Sequence, residues 1–380
     1  MALKYPRSME DWAAWQASRQ RLRRTKHRVV GAVDSLRGTE PEIPRVTLYR
    51  RVSAGGDLLV EDGRTKPLLI AMDSASPTSI AAVADVIPYC RGDVAVLAPR
   101  GMEVGLPGAE AWSRRDLPAD VGAVLTSVAP FAVMSLGAHM RSGALADGIA
   151  RTLDVPHYVV QHGALTPYSP PLPEGARLLA WTQADADFWT AGRDDVETAV
   201  VGSQLLWRAG HETTAVPVDR TPVFLGQLRG AELPRWVTGG AAQQFCLRHD
   251  AMYRPHPSET DVLSRLQHQV WQRRGIQFAP TDVPLREVEE PVVAVFSTGI
   301  LEAAARGVPA WAYAPRAPRW VHEFWERYGM KPYGGDPTPA LPIGTGEPAV
   351  AIAGLVDPLP GEEPGPSSGP TQPTGPGRAE

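Results

Sequence analysis

A histidine held between two prolines is the first feature of this chain with an evident chemical use. In Met252-Tyr-Arg-Pro-His-Pro-Ser-Glu-Thr-Asp261 an apolar run closes at Arg254. Ser258 with Asp261 then forms a Ser-x-x-acid signal expected to open a helix. His256 is therefore expected in the loop between strand end and helix start, where backbone N–H groups gather anions. Pro257 fixes its own φ and drives His256 into an extended conformation, which presents the imidazole rigidly. That suits donation to a phosphate oxygen, with Arg254 beside it. An incidental histidine in a proline-rich turn is the plainer alternative.

A second segment carries a complementary pattern. Val292-Val-Ala-Val-Phe runs straight into Ser297-Thr298-Gly299 and an alanine-rich stretch. Two hydroxyls at a helix N-terminus, next to free backbone N–H groups, make an anion site. Glu302, one turn in, is near enough to accept from a ribose hydroxyl. Simple capping is the competing account of Ser297 and Thr298, and a favourable dipole charge that of Glu302. In Phe224-Leu-Gly-Gln-Leu-Arg-Gly230, Gly226 lets a backbone approach and Arg229 is placed to pair with a diphosphate. His157-Tyr-Val-Val-Gln-His-Gly163 puts Gln161 and His162 at another strand end. A neutral His162 there is a candidate general base on an acceptor hydroxyl, against the plainer reading of a structural histidine. Arg141, just after Gly137-Ala-His139, is a further acceptor-side candidate.

Other patterns are set aside. Asp185-Ala-Asp187 has the letters of a metal-chelating pair, but Thr182-x-x-Asp185 after a strand reads as a helix cap. His322-Glu-Phe-Trp-Glu326 lacks the second histidine of a zinc-protease helix. The chain has no G-x-G-x-x-G, no G-x-x-x-x-G-K-[ST] and no nucleophile elbow. No metal or cofactor is called for.

These residues need elements to hold them. Short apolar runs alternate with helix-like stretches from about 45 to 205, and again after Pro217-Val-Asp-Arg-Thr-Pro222. Such alternation marks βαβ units around mostly parallel sheets. Strands are expected at 46–50, 68–72, 94–98, 123–126, 132–136, 157–161, 178–182 and 199–201. In the second series they are expected at 223–225, 251–254, 276–279, 292–296 and 310–313. Helices are expected at 80–87, 144–153, 241–248, 259–274, 301–306 and 321–328. The fold class is thus α/β, with two Rossmann-like domains whose parallel sheets face each other across a cleft. Their spans are 41–210 and 218–335, flanked by a basic helical arm (1–40) and a Pro/Gly-rich disordered tail (336–380). Ligands of open parallel sheets bind at the carboxyl ends of the strands, where the segments above fall.

Composition agrees with 380 residues divided between two domains. The net charge of −4 argues against a nucleic-acid partner, and two cysteines cannot build a disulfide framework. Without an apolar spanning run or signal core, a cytoplasmic protein is expected. The arm carries eight basic residues through Arg28 against Glu10 and Asp11, with Trp12 and Trp15 on one helix face. It either packs on the body or associates peripherally with an anionic membrane through residues 1–38.

Taken together, Arg254-Pro-His-Pro257, Ser297-Thr-Gly-Ile-Leu-Glu302 with Gly307-Val-Pro309, and Gln161-His-Gly163 resemble the GT-B glycosyltransferase superfamily. The nearest branches are those of bacterial surface polymers: polysialyltransferase-like, capsule-synthesis and CDP-glycerol-type transferases. The resemblance implies a metal-independent enzyme that moves a sugar, or a sugar-alcohol phosphate, from a nucleotide-sugar or CDP-alcohol donor. The acceptor would be a glycan or lipid-linked polymer of the cell envelope. Arg229, Arg254, His256, Ser297, Thr298 and Glu302 would hold the nucleotide, with Gln161, Arg141 and His162 on the acceptor side. The acidic base of the polysialyltransferase-like branch has no clear counterpart, since Glu61-Asp62-Gly63 falls in an expected hairpin too early in the domain. An epimerase of the UDP-N-acetylglucosamine 2-epimerase type, or a catalytically silent nucleotide-binding scaffold, are the alternatives.

Overall fold

The computed structural model describes residues 2–19, 44–51, 66–211, 220–228, 230–342, 344 and 346–357. Its first sheet has eight strands in the order β4-β1-β3-β2-β5-β6-β7-β8. They are β1 Arg45–Arg51, β2 Leu68–Ala71, β3 Val94–Pro99, β4 Trp112–Pro118, β5 Ala132–Ser135, β6 His157–Val160, β7 Arg177–Ala180 and β8 Glu197–Val200. Pairing is parallel from β3 through β8. The sequences of β2, β5 and β6 are nearly uninterrupted apolar runs, and all three strands are wholly buried, as expected where helices cover both sheet faces.

The expectation of a parallel sheet is corrected at one edge, where β1 runs antiparallel to both β3 and β4. β4, Trp-Ser-Arg-Arg-Asp-Leu-Pro, has most of its side chains exposed or half-exposed. A charged edge strand of this kind carries no apolar period for the sequence to show. The strand expected at 123–126 is instead the helix α2, Val121–Leu125. Asp120 caps it by accepting the Ala123 N–H at 3.0 Å, and a short apolar run does not by itself distinguish strand from helix. The helix expected at 80–87 is broken into a turn at Pro77–Ser79, a wide turn at Ile80–Ala84 and a tight one at Ile87–Tyr89.

The second sheet is parallel throughout, in the order β10-β9-β11-β12, with β9 Val223–Leu225, β10 Met252–Arg254, β11 Val292–Ala294 and β12 Ala310–Ala312. Residues 276–279 add only a single bridge, Phe278 to Tyr253, in place of the expected strand. The first domain also holds α1 Met9–Arg19, α3 Arg141–Leu153, α4 Gln183–Trp189 and α5 Gln204–His211. The second holds α6 Arg235–His249, α7 Val262–Arg273, α8 Thr298–Ala305 and α9 Arg319–Arg327.

Two elements depart from the expected domain limits. Leu206 and Ala209 of α5 belong to the core of the second domain, and α5 packs along α8. Residues 348–356, expected within a disordered tail, form the helix α10 Pro348–Val356. Ala349, Ile352, Ala353 and Val356 are buried in the first domain's core, so the chain returns to the first sheet after completing the second. Glu347 accepts from Tyr89 Oη at 3.0 Å and from Gln204 Nε2 at 2.7 Å, and Asp357 accepts the N–H groups of Arg91 and Gly92 at 2.7 and 2.8 Å. The Pro and Gly letters around this helix conceal a continuous apolar nonapeptide. Residues 358–380 and most of the basic arm lie outside the described residues, as do Glu61-Asp62-Gly63 and residues 217–219 of the segment between the two strand series.

Candidate functional site

Parallel pairing puts the loops that follow β9, β10 and β11 on one rim of the second sheet, so topology alone brings the His256 loop and the Ser297-Thr298 turn to the same edge. A buried carboxylate ties the rim together. Glu259 accepts the Leu228 N–H at 2.9 Å and the Tyr253 hydroxyl at 2.8 Å, and lies 3.0 Å from His268 Nε2. Gly226 is required by this packing. A Cβ there would lie 2.5 Å from Tyr253 Oη and 2.7 Å from Glu259 Oε1. The close approach that this glycine permits is thus made by the protein itself. Gln227 Oε1 accepts the N–H groups of Val295 and Phe296, both at 3.1 Å, and fixes the end of β11 to the neighbouring loop.

His256 is exposed on this rim. Its Nδ1 accepts the Ser258 N–H at 3.1 Å and lies 2.7 Å from the Ser258 hydroxyl. An acceptor Nδ1 places the proton of the neutral ring on Nε2. Ser258 therefore orients the histidine and does not open the next helix. That helix starts at Val262 and is capped by Asp261, which accepts the Ser264 N–H at 3.1 Å. Ser297 caps α8 by accepting the Gly299 N–H at 3.1 Å. Thr298 Oγ1 accepts the Ala164 N–H of the first domain, also at 3.1 Å, and keeps its own O–H to donate. Glu302 is buried one turn further along. The Arg254 guanidinium is directed to the carbonyls of Pro280 and Val283, so it holds that loop in place rather than facing outward. Arg229 lies outside the described residues.

The contact between Thr298 and Ala164 brings the carboxyl edge of the second sheet against that of the first. Gln161, expected to face a ligand, is instead 1% exposed and shapes the turn. Its Oε1 accepts the Trp181 N–H at 2.8 Å, its Nε2 donates to Gly163 O at 3.1 Å, and its carbonyl accepts Trp181 Nε1 at 2.8 Å. Arg141 is exposed at the start of α3, whose N-terminus is already occupied by Asp73. That carboxylate accepts the Ser142 and Gly143 N–H groups at 2.8 and 2.9 Å.

A buried polar cluster with no local signature in the chain locks the two domains together. Asp185 is fully buried and accepts the Tyr328 hydroxyl at 2.6 Å, while that same oxygen accepts the Leu165 N–H at 2.7 Å. Arg327 donates to Leu165 O and lies 3.8 Å from Asp185, with its guanidinium 3.7 Å above the Phe188 ring. Burial raises the Asp185 carboxyl above the usual range, against the opposing hydrogen bond from Tyr328 and the charge of Arg327. Thr182 does cap α4 through the Asp185 N–H at 3.1 Å, as the sequence suggests. Among the described residues no cluster of metal-ligating side chains is found.

Beside this lock lies a cavity of about 340 Å³. It is bounded by Trp12 and Trp15 of α1, His139 after β5, the 162–170 segment after β6, Trp189, and Gly230–Glu232 after β9. His162 faces it with a pKa pushed down to about 4, by burial first and then by the neighbouring His139. His139 is lowered by burial. Glu232 is raised by burial. His256, Ser297 and Glu302 do not line this cavity. Trp12 is buried and donates from Nε1 to Tyr168 O at 2.7 Å, and Trp15 stacks on the Tyr168 ring with centroids 4.7 Å apart. The tryptophan face of the arm therefore packs on the body. Glu232 and His139 carry no signal in the sequence, because they are distant in the chain and match no motif; Trp12 and Trp15 were legible only as a packing face, not as the wall of a cavity.

No protein-family model matches the chain, and no curated protein matches it. Among solved structures, an O-GlcNAc transferase mutant from Thermobaculum terrenum is 14% identical with a TM-score of 0.36, covering 79% of this chain and 62% of that one. An extracellular ligand binding receptor from Desulfohalobium retbaense is 12% identical with a TM-score of 0.27, covering 77% of this chain and 49% of that one. The chain thus spans less than two thirds of the length of either, and the fold stands on its own strand order. No helix among the described residues is long and apolar enough to cross a membrane.

Proposed function

We propose that this protein is a glycosyltransferase-like enzyme that takes a nucleotide-activated sugar, or a CDP-linked sugar alcohol, on the rim of its second sheet. The observation that carries this reading is the meeting of the two carboxyl edges, fixed by Thr298 Oγ1 on the Ala164 N–H. A donor phosphate on that rim meets His256 Nε2–H, the hydroxyls of Ser297 and Thr298, and the positive end of α8. Glu302 takes the ribose. The acceptor approaches from the first domain. With a nucleotide-sugar donor its hydroxyl oxygen bonds to the sugar carbon as the bond from that carbon to the phosphate oxygen breaks; with a CDP-alcohol donor it bonds to the alcohol-bearing phosphorus as the bond to the CMP oxygen breaks. In either case the hydroxyl proton passes to solvent. The electron pair stays with the departing nucleotide, where preorganised donors stabilise it. His162, expected as the base, holds a proton too weakly near neutral pH for that task. It suits orienting a hydroxyl.

Thermal shift against CMP, CDP, UDP, UMP and GDP tests the donor site, since a ligand of the native state raises its apparent stability. A rise with one base that is lost in His256→Ala is expected. No rise with any of the five removes the reading. Conversion of UDP-N-acetylglucosamine without an acceptor would mark an epimerase instead, and binding without any turnover a scaffold. The basic arm is proposed to add a peripheral membrane contact. Vesicles containing anionic lipid should then retain the full chain but not one lacking residues 1–38.

A further inference from the structure

The cavity between α1, the ends of β5 and β6, and the 230–232 loop has chemistry of its own. Nδ1 of His139 and Nδ1 of His162 are both buried without a hydrogen-bond partner among the described residues, and both residues line the cavity. A neutral imidazole has one donor and one acceptor nitrogen, and a buried polar atom left unpaired is costly. Glu232 contributes a carboxylate, an acceptor only. A hydroxyl group both donates and accepts, so it satisfies either imidazole tautomer and the carboxylate as well.

Charge decides against the other ligand classes. Lowered by burial, the two imidazoles supply no cation at neutral pH, and among the described residues the only charged side chain lining the cavity is Glu232, so the described lining gives a phosphate no cationic partner. The aromatic walls are already engaged with one another. Trp15 lies stacked on Tyr168, Trp12 meets His139 edge-on at 76°, and Trp189 Nε1 donates to Pro170 O at 2.9 Å. They offer rigid apolar surface, not an open cage for an ammonium group. Rigid aromatic surface beside a few convergent polar groups, in a volume at the small end of ligand pockets, fits a single small ring.

We infer that this cavity binds a neutral polyhydroxylated ring, a sugar unit, with Glu232, His139 and His162 as its hydroxyl partners and the α1 tryptophans as its wall. This deepens the transferase reading and rests on it for the identification of the bound ring as the acceptor. It also gives the N-terminal arm a task, because removing α1 removes one side of the site.

The test uses the full chain with 15N-labelled tryptophan, following the indole N–H signals of Trp12, Trp15 and Trp189, each assigned by its Trp→Phe variant. D-glucose, N-acetyl-D-glucosamine, inorganic phosphate, methylammonium and UDP are titrated separately. The two sugars should move the Trp15 signal saturably at millimolar concentration, and Glu232→Gln should weaken that binding at least fivefold. His139→Gln is the second variant, with the same expected loss, should Glu232→Gln disturb the fold. No saturable shift with either sugar overturns the inference. So do an equal shift with phosphate or methylammonium, and unchanged sugar affinity in both variants. UDP is expected to leave these signals in place, so a failed nucleotide site and a failed sugar site give different records.

Discussion

Tyr328→Phe removes one oxygen and leaves every carbon in place, which makes it a clean probe of the contact between the two domains. That oxygen donates to Asp185 at 2.6 Å and accepts the Leu165 N–H at 2.7 Å. Losing the first bond leaves a buried carboxylate short of a partner, at a cost of about 1.5–3 kcal/mol for a bond to a charged group. Losing the second strands a buried backbone donor at about 1–3 kcal/mol. Partial relaxation, with Arg327 moving closer to Asp185, offsets some of this, so a loss of about 3 kcal/mol is expected. Urea unfolding followed by tryptophan fluorescence reads it as a lower midpoint. The reasoning also requires coupling: in an Asp185→Asn background the same change should cost at least about 1 kcal/mol less. A loss below about 1 kcal/mol, or full additivity of the two changes, would refute the lock.

Other predictions probe separate features. His162 has a folded pKa of about 4 against an ordinary 6.5, so between those values the unfolded chain binds more protons. Stability must then rise with pH across that window and fall on acidification, by about 3 kcal/mol in all. His162→Gln should flatten that part of the stability profile, and an unchanged slope would contradict the assignment. Gly143→Ala places a Cβ 2.0 Å from Gly137 O. Chemical denaturation should show a loss of roughly 3 kcal/mol or more, or no folded protein. Ser297→Ala removes the α8 cap and should lower stability by about 1 kcal/mol; it should also weaken any nucleotide-induced rise in melting temperature, which a cap without ligand contact would leave intact.

Much of the scaffold is legible in the residues because parallel central strands must be apolar on both faces. Leu68–Ala71 and Ala132–Ser135 are wholly buried for that reason. Where only one face is covered, or one edge is free, the signal fades. β4 carries Arg114 and Arg115 outward, and its pairing with β1 is visible only in three dimensions. Helix α10 shows a different failure, a short apolar segment hidden by its Pro/Gly-rich neighbours. His256 and Ser297 follow the ends of β10 and β11, positions legible because a histidine between prolines and a Ser-Thr turn carry local backbone constraints. Their partners were not legible. Gln161 turned inward to bind Trp181, and Arg254 turned to the carbonyls of the 280–283 loop. Nothing local to either residue encodes such choices. The cavity draws on residues from 12 to 232, so its walls share no local pattern.

Hydrogen–deuterium exchange of the full chain with and without the nucleotide preferred in thermal shift tests the central claim most directly. Protection should appear together in residues 255–261 and 297–302, the two segments that the second sheet carries to one rim. Binding that protects neither segment, or only one of them, would contradict a shared phosphate site and the transfer chemistry built on it.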